Sequence, residues 1–499
     1  MSALIDLISQ NRPVEGHRPW QRVIVDSNSW HFATRQLAKG DWVLLGLWGE
    51  ASAVHMAVME SENALAVLSI ECPQEKFPSV GRHHPPAIRL ERAIGDLFGL
   101  AADGAPDARV WLDHGKWDVR HPLGQKAPAQ TAPYAFLPTE GESLHQIPVG
   151  PVHAGIIEPG HFRFTANGET VVRLEERLGY VHKGIEGLMA GASLERAAKL
   201  AGHVSGDSTV AYSIAFARAV EAATGIEAPP RALWLRALMA ELERIANHLG
   251  DIGAICNDAS FSLMHAHCGA LRELVLRAAA AAFGHRLMMD RIVPGGVTVE
   301  LTSDATTQLQ ALLHELRHRF RSLINLYDDT ASLQDRTSGT GVLTPALAKQ
   351  FGAGGVVGRA SGRSFDARRN LAYPPYDQLS FDVPVLVDGD VDARVWLRIK
   401  EVEQSLSLIE QILAGLPEGP TRVEVPLRAG EGMALAEGFR GDVMAWVRLG
   451  GDGRVTRCHL RDPSWFQWPL LEAAIEGNIV ADFPLINKSF NCSYSGHDL

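Results

Sequence analysis

Residues 239–249 read MAELERIANHL and indicate a buried helix that also carries charge. Apolar side chains recur there at the spacing of a bundle helix, at Leu238, Leu242, Ile245 and Leu249. Glu241, Arg244 and His248 stand at i, i+3 and i+7, so they share one face, which we expect at the margin of a core. Two interpretations stay open: structural salt bridges hold the helix, or its charges form a chain that relays protons or a conformational signal.

Helical spacing dominates the chain on both sides of this stretch. It predicts helices over residues 193–202, 208–223, 231–249, 265–287, 302–328 and 392–413. Short antiparallel strands are expected over residues 156–165, 170–174, 423–426, 442–449 and 455–461. Residues 448–455 predict a hairpin turn, because glycine and aspartate adopt the positive φ that such turns need. We therefore expect a mainly α-helical domain over residues 151–499, edged by antiparallel β-strands.

The first 125 residues have a different pattern. Residues 42–48 and 65–70 are typical of strands, and residues 90–100 of a short amphipathic helix. A small α+β domain over residues 1–125 follows. Between the two domains, residues 126–150 are rich in proline and lack periodicity, which predicts an extended linker or wrapping arm.

Composition excludes several functional classes. The 499 residues include 47 Lys+Arg against 58 Asp+Glu, a net charge of −11 with no basic run, so nucleic-acid binding is not expected. No apolar run reaches 18 residues, and no signal peptide precedes the first domain, so we expect no membrane span. The five cysteines are scattered and form no Cys-x-x-Cys pair. We expect reduced thiols, and no Fe–S cluster or thiolate-bound metal held by this chain alone.

Two tempting motifs carry little chemistry. The pairs His83/His84 and His265/His267 lack a partner set at metal-site spacing, which favours surface or capping histidines. The glycine-rich residues 352–358 resemble a phosphate loop but lack its Lys-Ser/Thr and a clear preceding strand. A loop that lets two backbones pass closely is the better interpretation.

A second polar cluster surrounds a tight Pro-Gly turn in residues 150–164, which read GPVHAGIIEPGHFRF. His153, Glu158 and His161 flank the turn. Such a loop can present Glu158 and His161 to a cavity. The alternative is a turn whose polar residues are incidental.

Residues 150–164 and 239–249 carry a family resemblance. Further motifs that share it lie in residues 177–186, 338–343, 358–362, 404–406, 482–486 and 493–499. They are similar to the large subunit of membrane-bound nickel–iron hydrogenases of the hydrogenase-4 and formate-hydrogenlyase type. They also resemble the quinone-site 49 kDa subunit of respiratory complex I. Residues 78–80, 91–100, 106 and 121–123 resemble the 30 kDa subunit of complex I. The resemblance implies that the two subunit types are fused in this chain.

The departures from that family matter most. The positions of the four metal-binding cysteines hold Ser205, Ser208, Ser493 and Gly496. A neutral hydroxyl cannot replace a soft thiolate, so we predict no metal and no nickel–iron centre. The quinone-binding tyrosine of complex I falls on Gly206. His153 matches the first histidine of the complex I quinone loop, while Glu158 resembles the proton-transfer glutamate of hydrogenases.

The resemblance implies a peripheral subunit of an NADH dehydrogenase-like complex at the cytoplasmic face of the inner membrane, with quinone and NAD binding among the activities of that class. A small Fe–S subunit and antiporter-like membrane subunits are the implied partners. The Fe–S cluster lies on the partner, since this chain binds no cofactor itself. Its cluster would face a cavity formed by residues 205–208, 158–161 and 493–497. Electrons would then reach a quinone or another small acceptor, coupled to ion translocation.

Candidate relay residues follow from this interpretation. Glu158, His161, Asp207 and His153 are the predicted catalytic groups of the cavity. We expect a shifted pKa at a buried Glu158 or Asp207, and titration near neutral pH at His161, His203 and His248. Two alternatives stay open: a non-catalytic adapter whose cavity is filled by side chains, and a hydrogenase with an unusual metal set.

Overall fold

The computed structural model describes residues 2–62, 64–129, 133–154 and 157–499. Its strands are β1 (Arg12–Pro13), β2 (His17–Arg18), β3 (Gln21–Ile24), β4 (Val43–Glu50), β5 (Ala53–Ser61), β6 (Ala64–Glu71), β7 (Lys76–Pro78), β8 (Ala101–Asp103), β9 (Val119–Arg120), β10 (Ala127–Pro128), β11 (Leu144–Val149), β12 (His161–Asn167), β13 (Thr170–Arg177), β14 (Ile292–Val293), β15 (Gly296–Val297), β16 (Gly430–Gly438), β17 (Gly441–Leu449) and β18 (Val455–Arg461).

Its α-helices are α1 (Ala3–Gln10), α2 (Ser27–Lys39), α3 (Ile88–Phe98), α4 (Ile185–Met189), α5 (Leu194–Gly202), α6 (Thr209–Thr224), α7 (Pro230–Asp258), α8 (Ser262–Phe283), α9 (Ser303–Asp328), α10 (Ala331–Thr337), α11 (Pro345–Gln350), α12 (Gly355–Arg359), α13 (Ala367–Asn370), α14 (Val391–Gly415), α15 (Ser464–Ala474), α16 (Phe483–Phe490) and α17 (Tyr494–Asp498). None of them, within the described residues, is long and apolar enough to cross a membrane.

The N-terminal region is an α+β unit, as predicted. Its sheet has the strand order β1-β3-β6-β5-β4, with β3 and β6 parallel and the other pairs antiparallel. The side chain of Asp26 accepts a hydrogen bond from the Ser29 backbone and so caps α2. The predicted strands became β4 and β6, and the predicted helix became α3.

The C-terminal region is built around α7, which packs between α8 and α14. Proline at the first position of α7 suits a helix start because that backbone N–H would be unpaired there anyway. The helix continues past the predicted end at residue 249 because Ile252, Ile255 and Cys256 keep the buried spacing. Every helix predicted in this region is present, with ends shifted by a few residues.

One predicted strand of the C-terminal region is wrong, and β16 is among the strands that the sequence pattern did not predict. Residues 423–426 form no strand, and Arg422 makes only an isolated bridge to Gly296. The strand that pairs with β17 is instead β16, whose Gly430 and Gly432 hid the strand pattern. These glycines are required because α6 lies directly on β16: a Cβ at Gly432 would stand 2.0 Å from the Ala219 carbonyl oxygen.

The strand predicted over residues 156–165 begins at His161 and pairs with β13. Residues 155 and 156 lie outside the described residues. Leu144–Val149, within the predicted linker, forms β11 and pairs with β12. Residues 133–140 form no helix or strand, and they lie against the N-terminal unit, where the Tyr134 hydroxyl accepts from Arg92 at 2.9 Å.

The two regions share a sheet and a core. β2 pairs with β16 in parallel, which gives the strand order β18-β17-β16-β2. Trp48 of β4 packs against Trp446 of β17, with ring centroids 5.6 Å apart. Sheets from opposite ends of the sequence therefore pack face to face.

The glycine-rich residues 352–358 follow α11 and not a strand. A Cβ at Gly355 would lie 2.1 Å from the Arg440 carbonyl oxygen. This confirms the expected close passage of two backbones and places Arg440 beside the loop.

Candidate functional site

The four positions of the missing cysteines lie together. Ser205 precedes α6 and Ser493 caps α17, and their hydroxyl oxygens are 3.2 Å apart. The Ser493 hydroxyl also accepts the backbone N–H of Gly496 at 2.9 Å. All three residues and Ser208 are buried. The sequence register therefore identified a real spatial cluster.

An ion pair between Asp207 and Arg440 lies at the centre of this cluster. Arg440 donates to both carboxylate oxygens of Asp207, at 2.9 and 2.6 Å, and to the Ser208 hydroxyl at 3.0 Å. Burial raises the pKa of Asp207, but the Arg440 guanidinium outweighs it and holds that pKa well below its usual range. Asp207 is thus an anion at neutral pH, and its charge is already neutralised.

The donors of this cluster do not fit a nickel–iron centre. Three positions offer hydroxyl oxygens, the fourth offers no side chain, and Asp207 is bidentate to Arg440. Cys492 is buried, and burial raises the pKa of its thiol well above the ordinary value. Across the described parts of the chain, no group of three His, Cys, Asp or Glu residues could hold a metal ion. The void beside Asp207 measures only about 10 Å³.

Glu243 is a titratable neighbour that the sequence did not reveal. Its carboxylate accepts the backbone N–H groups of Val210 and Ala211, at 2.7 and 3.2 Å, at the start of α6. Burial raises the pKa of Glu243 to about 8, and the charge of Asp207 adds to the effect. Glu243 is two positions from Glu241 and therefore lies on another face of α7. The spacing of Glu241, Arg244 and His248 along one face gives no indication of it.

His161 and Glu158 do not join the cluster, which corrects the predicted cavity. His161 is buried beside Gly150, and its ring packs 5.0 Å from that of Phe136. Glu158 is exposed. Within the described residues, no hydrogen bond links either side chain to Ser205 or Asp207.

Of the predicted histidines, His153 is nearest to the C-terminal segment. It is half-buried, and its Nε2 lies 3.2 Å from the Tyr494 hydroxyl. His203 is exposed and pairs with Asp290 at 3.0 Å. Burial lowers the pKa of His161 and of His248 from the ordinary value, which favours the neutral ring at both positions.

Glu241, Arg244 and His248 lie deep in the core and not at its margin. Each is at most 1 % exposed. Glu241 accepts from Arg368 at 2.9 Å, from Tyr376 at 2.7 Å and from Ser405 at 2.6 Å. The sequence anticipated the shared charged face but not its burial, because the partners come from distant segments.

Glu401 of α14 joins these charges into a network. His248 contacts it at 2.8 Å, Arg359 bonds it at 2.6 Å, and Arg244 lies 3.5 Å away. Burial raises the pKa of Glu401, but the positive charge of Arg359 outweighs it and leaves that pKa well below normal. Glu401 is therefore ionised beside a neutral His248, whose Nδ1 makes no hydrogen bond with any described residue.

The network continues to the serine cluster through Asp251, one turn beyond His248 on α7. Arg398 donates to Asp251 at 3.2 Å, and Asn491 donates to it at 2.9 Å. The carbonyl oxygen of Asn491 in turn accepts from Arg440. Hydrogen bonds thus link Asp207 through Arg440 and Asn491 to Asp251 and Arg398, and the charge of Arg398 acts on Glu401 without a hydrogen bond between them.

A larger cavity, of about 390 Å³, lies between the N-terminal unit and the C-terminal segment. Leu90, Ile94 and Phe98 of α3 line one side, and Trp117, Trp465 and His182 line another. Asp498 also lines it, four residues from Tyr494. This mainly apolar space has the size that small-molecule sites require.

Two known protein families are similar to parts of this chain. The family described as respiratory-chain NADH dehydrogenase, 49 Kd subunit, matches residues 259–428 and 423–498. The family described as respiratory-chain NADH dehydrogenase, 30 Kd subunit, matches residues 40–133. Both resemblances expected from the sequence, and their fusion in one chain, are confirmed.

Individual relatives agree. Formate hydrogenlyase subunit 5 of Escherichia coli strain K12 is 32 % identical, over 86 % of this chain and 78 % of its own length. Hydrogenase-4 component G of the same strain is 30 % identical, over 86 % of this chain and 77 % of its own length. A chain of the membrane-bound sulfane sulfur reductase, an archaeal respiratory membrane complex, superimposes with a TM-score of 0.68 at 28 % identity. That match covers 72 % of this chain and 99 % of the other.

Proposed function

Because the chain belongs to the family that unites the 30 kDa and 49 kDa subunits of respiratory complex I with hydrogenase large subunits, we propose that it is the peripheral redox subunit of a related membrane-bound oxidoreductase. In this proposal a small Fe–S subunit supplies electrons, and a quinone or another small acceptor receives them without a nickel–iron centre. Antiporter-like membrane subunits couple the reaction to ion translocation. The complex would stand at the cytoplasmic face of the inner membrane.

The observation that carries this proposal is the buried network from Asp207 to Glu241. Contacts run from Asp207 through Arg440 and Asn491 to Asp251 and Arg398, and a charge interaction between Arg398 and Glu401 joins this part to the contacts of Glu401 with Arg244 and His248. In a medium of low dielectric constant, a change of charge at one end alters the proton affinity of groups at the other. Such a network suits a protein that couples redox change to proton movement. This corresponds to the second interpretation of the α7 charges, in which they relay protons or a conformational signal.

The apolar cavity of about 390 Å³ supports a small acceptor. It lies against the C-terminal segment that carries Ser493 and Gly496. Aromatic side chains of Trp117 and Trp465 offer flat apolar surfaces, as an aromatic acceptor requires. The 10 Å³ void beside Asp207 is far too small for the same ligand.

Exposed apolar side chains support docking of a partner subunit. Four of them lie in the segments 152–157 and 180–188: Val152 is 76 % exposed, Ile157 46 %, Tyr180 37 % and Leu188 46 %. Both segments contact the C-terminal residues, through the His153 contact to Tyr494 and through the Lys183 backbone bond to Leu499. An apolar surface beside the candidate site is what an electron-donating subunit would cover.

A specific observation favours the second candidate, a non-catalytic adapter. The former metal position is filled by Asp207, Arg440 and three serines, as an adapter would require. In that case the fold serves only to join other subunits.

The test uses the native complex purified from detergent-solubilised membranes. We expect reduction of a soluble quinone analogue, with iron but no nickel in the metal analysis. Glu401→Gln should lower this activity about tenfold by removing a charge from the network. Glu403→Gln, on an exposed position of the same helix, is the matched control. Assembly of the complex without any acceptor activity would support the adapter instead.

Glu158 stays a predicted relay residue and has its own test. Its exposure places it where a partner subunit could cover it. If Glu158 transfers protons in the assembled complex, Glu158→Gln lowers quinone reduction while subunit assembly is retained. Unchanged activity would remove Glu158 from the mechanism and leave the buried network as the route.

A further inference from the structure

We propose that Glu176 and Glu472, bridged by Arg89, form a proton-binding site. The site takes up protons from water on one side, and its other side faces the protein interior next to the C-terminal segment. The site lies outside the network described above. Its ability to bind a proton stands on its own geometry. Its use during turnover rests on the proposed function.

One guanidinium serves two carboxylates at this site. Arg89 of α3 lies 3.0 Å from Glu176 of β13 and 2.6 Å from Glu472 of α15. Glu472 also accepts the backbone N–H of Glu176 at 2.8 Å, so the two carboxyl groups are held side by side. The Oε1 atom of Glu176 is buried and has no hydrogen-bond partner among the described residues. A buried carboxylate with an unpaired oxygen carries a free-energy cost of desolvation. Binding of a proton neutralises the carboxylate and removes that cost.

Among the described residues near the pair, two of the other arginines are bonded to other carboxylates. The titratable and charged groups around it are Arg92, Asp107, Arg109, Tyr134, Arg173, Glu175, Arg177, Glu476, Cys492 and Tyr494. Arg109 bonds Asp107 and Glu175, at 2.7 and 2.6 Å. Arg92 pairs with Asp107 at 3.1 Å.

The remaining two arginines bind backbone oxygens. Arg173 donates to the carbonyl oxygen of Pro138 at 2.9 Å, and Arg177 donates to that of Asp113, also at 2.9 Å. Glu175 and Glu476 add negative charge on either side. The guanidinium groups of Arg173 and Arg177 keep their positive charge, but among the described residues only Arg89 forms an ion pair with Glu176 or Glu472, so two carboxylates share one guanidinium.

Electrostatics agree with the geometry. Burial, and next the charge of Glu472, raise the pKa of Glu176 well above its ordinary value. Burial also raises the pKa of Glu472, against the attraction of Arg89. Two carboxyl groups that share one site titrate as a unit, and one of them keeps its proton to higher pH.

The position of the pair suits proton uptake. Glu472 lines a surface recess of about 380 Å³, and its side chain is 25 % exposed. The Glu176 side chain is completely buried. On the inner side, burial raises the pKa of Cys492 and of Tyr494, the two residues that flank Ser493, and an ionised Glu176 would raise both further. One member of the pair is therefore open to solvent, and the other lies in the interior on the side of the C-terminal segment.

Infrared difference spectra of the purified native complex, induced by pH change alone, test the proposal. We expect the carbonyl band of a protonated carboxyl group at neutral pH, which shifts in D₂O and disappears as the pH rises. Glu176→Gln should remove one component of this band, while the component from Glu243, whose pKa is raised to about 8, remains. Glu169→Gln, at an exposed position just before β13, should retain the whole band. A band that survives Glu176→Gln unchanged would overturn the proposal.

A second variant guards against misfolding. If Glu176→Gln does not assemble, Glu472→Gln at the more exposed member should still abolish or displace that component of the band. In the same samples, the pH profile of quinone reduction should shift with either variant. If Glu176→Gln loses this component but the wild-type complex reduces no acceptor, only the proposed function is contradicted. If the wild-type complex is active but its band lacks this component, only the proton-binding site is contradicted.

Discussion

Arg440 organises the candidate site through a single side chain. Its guanidinium holds Asp207, Ser208 and the Asn491 carbonyl oxygen, which belong to two segments far apart in the sequence. The family places metal-binding thiolates at the neighbouring positions, but here hydroxyl groups and an ion pair stand in their place. Exchange of thiolates for hydroxyls changes the chemistry of the position from metal binding to hydrogen bonding.

The buried carboxyl group of Glu243 should make the stability of the protein depend on pH. Its folded-state pKa of about 8 lies above the ordinary value of 4.5, so the native protein binds a proton there that the unfolded chain releases. The free energy of unfolding should therefore fall as the pH rises from 4.5 to about 8. Glu243→Gln should remove this part of the pH dependence. Urea unfolding at a series of pH values measures the effect.

The exposed Glu227, just before α7, provides the control for Glu243. Glu227→Gln should leave the pH dependence of unfolding unchanged. An unaltered slope in Glu243→Gln would show that Glu243 is ionised in the folded protein and is stabilised by the α6 backbone alone.

Close packing between α6 and β16 positions both the serine cluster and Arg440. Ser208 precedes α6, and Arg440 lies in the turn between β16 and β17. The strand approaches the helix so closely that Gly430 and Gly432 leave no room for a side chain. This element pair was only half predicted, because the glycines that allow the contact also remove the alternating pattern of a strand.

Gly432→Ala tests this packing. Its Cβ would lie 2.0 Å from the Ala219 carbonyl oxygen and 2.6 Å from the Ala223 nitrogen, both backbone atoms that cannot move aside cheaply. We expect a loss of about 1–3 kcal/mol in the free energy of unfolding. Gly451→Ala, where no atom lies within 4 Å of the new Cβ, should change it by less than about 0.5 kcal/mol. Equal stability of the two variants would contradict the close approach.

In the whole molecule, a polar layer joins the two sheets from opposite ends of the chain. Glu431 of β16 binds Arg22 of β3 with two hydrogen bonds, at 2.8 and 3.0 Å. It also pairs with Arg448, which reaches Glu50 of β4. Beside this layer, Trp48, Trp446 and His459 pack together. The N-terminal unit is therefore held by buried ion pairs and aromatic packing as well as by chain connectivity.

Glu431→Gln should weaken the attachment of the N-terminal unit. Both Arg22 and Arg448 lose a negative partner in a largely buried layer, which costs about 3 kcal/mol. We expect earlier unfolding and faster proteolysis between residues 120 and 145. Glu71→Gln is the control, because Glu71 pairs with Arg12 while both side chains are more than 60 % exposed. Identical proteolysis of the two variants would show that the layer does not hold the units together.

Prediction from the sequence succeeded where the signal is local. Helix periodicity located α5 to α9 and α14, and turn chemistry located the β17–β18 hairpin. For the site, family motifs identified Ser205, Ser208, Ser493 and Gly496, which do meet in space. The burial of Glu241 and the exposure of Glu158 were not predictable, because each depends on which distant segments cover the residue.

Spacing and residue identity along the chain were enough to predict the long helices, the fusion of two subunit types and the loss of the thiolate ligands. The tertiary structure alone decided which charges meet. Arg440 is 233 residues from Asp207, and Arg89 is 87 residues from Glu176. Ion pairs over such separations leave no periodic trace in a sequence, because their energy arises only after packing has removed water and brought the partners into contact.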